Sequence, residues 1–312
     1  MLIKIIIKEL NQVLKKNNKF ISDIWLYGSI DDQLSDLDLI FLYNEKPIKI
    51  KLSKFLKQKI DDGTIIYIPA YQAKNIFLFE KLNIFSIKHN KKIFKKTSMS
   101  LNSLRYLTSF LERYYERRAI LLKSRNISPR VFRLIKSTIF SYQNFINFCK
   151  YKKIKLKRKN FDFKEYTNIR KKYLSNKFNK KFFNEYLKKF KSEDKNFYKQ
   201  SIDILDSYFF FNSSCLLNYR FNNYTKYSFK KRKKFIKVPK ILAYIYKIYS
   251  SQNLSLSKKI KKDFNSDIII SPKYKILNIY LKKKITFLDI AYKDLKKQKF
   301  KTGLYRLNWY LN

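Results

Sequence analysis

"WLYGSIDDQLSDLDLIFLY", residues 25–43, is the stretch on which the fold turns. The chain has three glycines in 312 residues, and Gly28 stands here between an apolar run and Ser29. A few residues on, Asp36 and Asp38 alternate with Leu37 and Leu39. On a strand, successive side chains leave opposite faces, so both carboxylates project from one face and both leucines from the other. Two carboxylates about 7 Å apart on one face repel each other and lose hydration. A hard divalent cation, Mg²⁺ or Mn²⁺, offsets both costs because it prefers oxygen ligands. Gly28 lets a phosphate approach the backbone, and Ser29 adds a hydroxyl donor. A phosphate site beside paired carboxylates is what phosphoryl or nucleotidyl transfer needs.

The segments on either side are short and of mixed type. Leu2–Leu14 has helical spacing, while Asp23–Tyr27 and Leu37–Tyr43 are apolar runs of strand length bounded by turn residues. Ile50–Ile60 returns to helical spacing, Asp61–Gly63 makes a turn, and Thr64–Ala70 is a third β-rich run. The expected order is helix, strand, strand, helix, strand.

An apolar strand, then Gly-Ser, a turn, and Ser-Asp-apolar-Asp-apolar resembles the signature of the DNA polymerase beta-like nucleotidyltransferase superfamily, particularly its minimal bacterial branch. Here it reads "LYGS" (26–29) and "SDLDLIF" (35–41). The resemblance covers roughly the first 100 residues. It implies an α+β domain with a nucleotidyltransferase-like mixed sheet and helices. It also implies transfer of a nucleoside monophosphate from a nucleoside triphosphate, with ATP the expected donor, to an unidentified acceptor hydroxyl. By the same carry-over Asp36 and Asp38 are catalytic metal ligands, and Gly28 and Ser29 hold the triphosphate. Residues 83–96 look like the segment leading into a helical substrate-side domain. Such enzymes usually take a third carboxylate from a neighbouring strand. The strand in question, "TIIYIPAYQ" (64–72), has none, and Asp62 and Glu80 only flank it. The rival reading is therefore a catalytically inactive copy of the fold that binds nucleotide or nucleic acid.

Charge places the domain boundary. Residues 1–100 carry 18 Lys, no Arg and 10 acidic residues, a net of +8. The remainder carries 53 basic and 13 acidic residues, a net of +40. The expected division is 1–98, nucleotidyltransferase-like, and 99–312, a mainly α-helical basic domain. Ser100–Lys123, Val131–Cys149, Lys180–Phe190 and Lys199–Leu217 all show helical spacing. A total of +48 attracts polyanions, RNA among them, with an affinity that falls steeply with salt. Part of that charge is the same A/T-rich codon bias that supplies Ile, Asn, Phe and Tyr.

Arginine escapes that bias. Only 12 of the 71 basic residues are Arg, and seven of those lie within 105–133. Bidentate phosphate contact is one reason for a guanidinium in a lysine-rich chain. Arg113 and Arg117, four apart on one helix face, are the expected nucleotide ligands. Pairing with Glu112 and Glu116 in a charged surface fits the same spacing. Aromatic residues among the lysines of 161–235 are expected in the core, with stacking on single-stranded bases the other reading.

Other classes are excluded more simply. Two cysteines and one histidine leave no disulfide framework and no ordinary zinc site. No stretch approaches the roughly 20 apolar residues that span a membrane. The lysines within Met1–Leu10 interrupt a signal-peptide core, so the expected location is cytoplasmic, with no membrane partner.

Overall fold

The computed structural model describes residues 2–27, 38–48, 50–60, 65–79, 84–93, 98–123, 128–156, 163–175, 177, 179–211, 215–219, 234–252 and 274–297. It is a mixed α+β protein, mostly helical, with a five-stranded mixed sheet. The chain divides into two compact units. One holds Met1–Thr97, Ser251–Ile260 and Asn278–Asn312, and the other Ser98–Ser250 and Lys261–Leu277.

The first unit begins with α1 (Leu2–Lys16), whose Ile6, Leu10 and Val13 form a buried stripe at helical spacing. Strands β1 (Ile21–Tyr27) and β2 (Asp38–Tyr43) pair antiparallel, with Tyr27 opposite Asp38. Helix α2 (Lys54–Ile60) carries the chain to β3 (Ile65–Pro69), which pairs parallel with β2. The expected helix over Ile50–Ile60 starts four residues late for a local reason. The Ser53 hydroxyl accepts the Leu56 N–H at 3.1 Å while donating to the Glu9 carboxylate, so Ser53 caps α2 and ties it to α1. A 3-10 turn (Ala70–Asn75) and the short α3 (Ile76–Phe79) follow. The segment 83–96, expected to lead into a helical domain, contains the hairpin of β4 (Ile84–Ser86) and β5 (Lys91–Ile93), and the helical second unit starts at Ser98. The sheet order is β3-β2-β1-β4-β5.

Both faces of the two central strands are buried. Leu39 to Tyr43 are all covered, as are Ile24 to Tyr27. This is why both read as continuous apolar runs rather than alternating ones. Phe41 stacks on Tyr67 on one face, and Trp25 meets Phe77 on the other.

Asp23, 5% exposed, is the polar exception. One oxygen accepts the Ile24 N–H at 2.8 Å and the Lys88 N–H at 2.9 Å. The other accepts the Trp25 indole N–H at 2.8 Å and the Ser86 hydroxyl at 2.5 Å. Ser86 in turn accepts the His89 N–H, so one carboxylate fastens the β4–β5 turn to β1. An acceptor-only group with four donors is fully satisfied, which is how it survives in an apolar layer. Asp23→Asn turns half of that acceptor into a donor facing donors. It should cost about 2 kcal/mol of stability, measured by urea unfolding.

The second unit is built on α4 (Met99–Lys123), α5 (Pro129–Tyr151), α6 (Phe163–Leu174), α7 (Lys180–Tyr208) and α8 (Lys240–Gln252). Ser128 caps α5, with Pro129 at its first position. The two helical stretches expected at 180–190 and 199–217 are one continuous helix that ends at Tyr208. Phe210 then takes a left-handed conformation (φ 55°), and Cys215–Tyr219 is strand rather than helix. That strand, β6, pairs antiparallel with β7 (Lys234–Val238). The Asp206 carboxylate accepts the Lys240 N–H at 2.7 Å and starts α8. The last helix, α9 (Lys275–Lys297), belongs to the first unit from Asn278 onward.

The core of the second unit is aromatic. Phe110, Tyr114, Tyr142, Phe145 and Phe197 meet with ring centroids 4.1–6.1 Å apart. Most of these pairs are tilted or edge-on, which suits the ring quadrupoles, and Phe110 stacks on Tyr114. Within the described part of 161–235, Tyr166, Phe183, Tyr186, Phe190 and Phe209 are buried, whereas Phe182 and Phe210 are exposed.

Candidate active site at the end of the mixed sheet

Three strand ends converge where β1 stops at Tyr27, β2 begins at Asp38 and β3 begins at Ile65 beside Leu39. Directly paired residues share a face, so Asp38 lies on the face of Tyr27, Ile40 and Ile66. Asp38 is half-buried, and the strand that follows it is wholly apolar and covered. A carboxylate is tolerated only at that end, where solvent or a ligand can reach it.

Gly28, Ser29 and Asp36 lie outside the described residues, as do the flanking acids Asp62 and Glu80. The third strand, Ile65–Pro69, contributes no acid. Asp23 shares the Asp38 face but pairs with Leu42, four residues along β2 and roughly 13 Å away. Its lone pairs already serve four donors. It does not complete the site, and it is the polar residue that sequence reading passed over. The signal was an Asp two residues before a Trp in an apolar strand, which puts carboxylate and indole on one face.

For a divalent cation, the donor chemistry of Asp38 fits: a carboxylate oxygen at a solvent-reachable strand end. Among the described residues no group of three His, Cys, Asp or Glu could hold a metal ion. A cation at Asp38 would thus need Asp36 and ligand oxygens.

Arg113 and Arg117 sit half-buried on one face of α4, in the second unit. Each already has an interaction within the structure. Their neighbour Arg118 has an internal role. Its Nε lies 2.5 Å from an Asp194 oxygen, an ion pair rather than an aligned hydrogen bond, and its guanidinium stacks 3.9 Å above the Tyr198 ring. The other Asp194 oxygen accepts the hydroxyls of Tyr114 at 2.9 Å and Tyr142 at 2.5 Å. Burial pushes the Asp194 carboxyl above its ordinary value, against the opposing pull of Arg118 and the two hydroxyls. The same burial drives both tyrosines well above 10.0. Arg105 and Arg170 are also buried, hydrogen-bonded to Asn102 and Tyr166. Planar guanidinium geometry thus serves the fold at these positions. Arg125 lies outside the described residues.

His89 is exposed on the β4–β5 turn. Cys149 is buried, with its thiol pushed up to about 12, so it stays protonated and inert at neutral pH. Among the described residues no helix is long and apolar enough to cross a membrane. No family model, curated protein or solved structure matches the chain.

Proposed function

We propose that the first unit is the catalytic part of a DNA polymerase beta-like nucleotidyltransferase. It transfers a nucleoside monophosphate from a triphosphate, with ATP the expected donor, to an acceptor hydroxyl. The observation that carries this reading is the position of Asp38, half-buried at the start of a central strand where β1 ends and the parallel β3 begins. The helix, strand, strand, helix, strand order and the mixed sheet support it.

In this reading Gly28 and Ser29 receive the triphosphate, and Asp36 and Asp38 hold Mg²⁺ or Mn²⁺. The cation, when bound, neutralises charge on the polyphosphate. The acceptor oxygen forms its bond to the α-phosphorus as the bond to pyrophosphate breaks, and the hydroxyl proton passes to solvent. Arg113 and Arg117, both on α4 of the second unit, are proposed as bidentate phosphate ligands.

Calorimetry tests the binding half of this proposal. Triphosphate should bind tightly with Mg²⁺ or Mn²⁺ and weakly in EDTA, and equal affinity in both would count against a metal site. Arg113→Lys and Arg117→Lys should each weaken binding about tenfold, because the charge stays while the planar fork is lost. Unchanged affinity in both variants would return these arginines to a structural role.

A specific observation favours the rival, a catalytically inactive nucleotidyltransferase fold that binds nucleotide or nucleic acid. The described β3 has no carboxylate to activate an acceptor, and Asp23 is fully engaged. The two readings part at transfer, not at binding.

A further inference from the structure

The start of α7 meets the end of α6 in a basic hollow. A pocket of about 220 Å³ is lined by Ile169, Lys172, Lys177, Asn179 and Phe182. Along α7 it adjoins an open bay of about 530 Å³ bordered by Lys180, Lys181 and Lys188, with one acid, Glu185. All five lysines are exposed, and none forms an ion pair among the described residues. Nearby, Lys189 does pair with Glu165, at 2.8 Å, so the hollow differs from its surroundings. Phe182 is 43% exposed at its centre, on a helix whose other aromatics are buried or half-buried, and the Lys172 ammonium lies 4.8 Å from its ring centroid. The helix terminus itself is already served, because the Asn179 side chain accepts the Lys181 and Phe182 N–H groups. What the hollow offers is side chains: several unneutralised ammonium groups around one exposed ring.

We infer that this α6–α7 hollow binds single-stranded nucleic acid, with Phe182 as a stacking platform and the lysines on the phosphates. An aromatic face among spaced cations suits an unpaired strand, whose bases can be splayed to stack while its backbone follows the charge. A duplex keeps its bases stacked internally and cannot use the ring. The inference does not depend on triphosphate chemistry, and its test uses none.

The full chain is titrated against a fluorescent 20-nucleotide oligouridylate by anisotropy, over a series of salt concentrations. Phe182→Ala should weaken binding about tenfold, and Phe182→Tyr should keep the affinity. Replacing Lys177, Lys180 and Lys181 with Gln should lower the slope of log affinity against log salt by about 2, at about 0.7 per lost contact. Removing the same charge from exposed Lys15, Lys16 and Lys19 in the first unit is the control, and should change little. Equal losses in the two lysine triples would overturn the inference, reducing it to general attraction by a highly positive chain. So would unchanged binding in Phe182→Ala, or a duplex of the same length bound as tightly and as sensitively to Phe182. The lysine triple carries the test independently of any effect of Phe182→Ala on folding.

Discussion

Asp194→Asn should destabilise the second unit by about 3–5 kcal/mol, because it leaves the Arg118 charge buried without its counterion. Asp194 is 2% exposed and is reached by α4 through Arg118 and Tyr114 and by α5 through Tyr142. It joins three helices through one carboxylate. The Asn side chain keeps an acceptor for the tyrosines but turns an N–H₂ group toward a guanidinium. Arg118→Met with Asp194→Leu should recover only part of the loss, since both tyrosine hydroxyls then lack their acceptor. Adding Tyr114→Phe and Tyr142→Phe should recover more, as replacement of a whole buried polar set often does. Urea unfolding of wild type and the three variants measures each step.

The same group gives a pH dependence of definite sign. The folded Asp194 pKa lies above its ordinary value of 3.8, so the native state holds the proton more strongly than the unfolded chain. Its contribution is fully present below 3.8 and is lost as pH rises through the folded value. Stability measured across that range should fall less with rising pH in Asp194→Asn than in wild type. An identical profile in the two proteins would contradict the assignment.

The central sheet was legible because β1, β2 and β3 are covered on both faces and therefore read as unbroken apolar runs. The β4–β5 hairpin was not. Each of its strands is three residues long, too short for any periodicity, and its turn relies on Asn90 at φ 48°. Helix α7 read as two pieces because "KSEDK" (191–195) looks like a polar gap. Asp194 in that gap is a core residue, and its partners on α4 and α5 are far away in sequence. Local pattern cannot reveal a buried charge whose counterion arrives through tertiary packing. The arginine cluster hides tertiary partners in a similar way. At Arg118 the guanidinium serves an internal carboxylate and an aromatic ring, neither of which its sequence neighbours show. At the proposed site, Asp38 could be read because strand alternation fixes its face and its strand begins there.

The central claim is that Asp36 and Asp38 support transfer, and label transfer from α-labelled triphosphates tests it most directly. Wild type and the Asp36→Asn and Asp38→Asn variants would be offered each of the four triphosphates. The acceptors would be the protein itself, small hydroxyl compounds and short RNA. Asn keeps the size of Asp and some of its hydrogen bonding, but removes the charge that would hold a cation. Wild type should transfer label to at least one acceptor, and either variant should lose that transfer by orders of magnitude. Melting temperature should hold or rise in both, since two like charges two residues apart in sequence repel each other without a cation. Wild type that binds triphosphate with metal yet labels nothing would favour the inactive-fold reading. Transfer that survives in both Asn variants would contradict the proposed site.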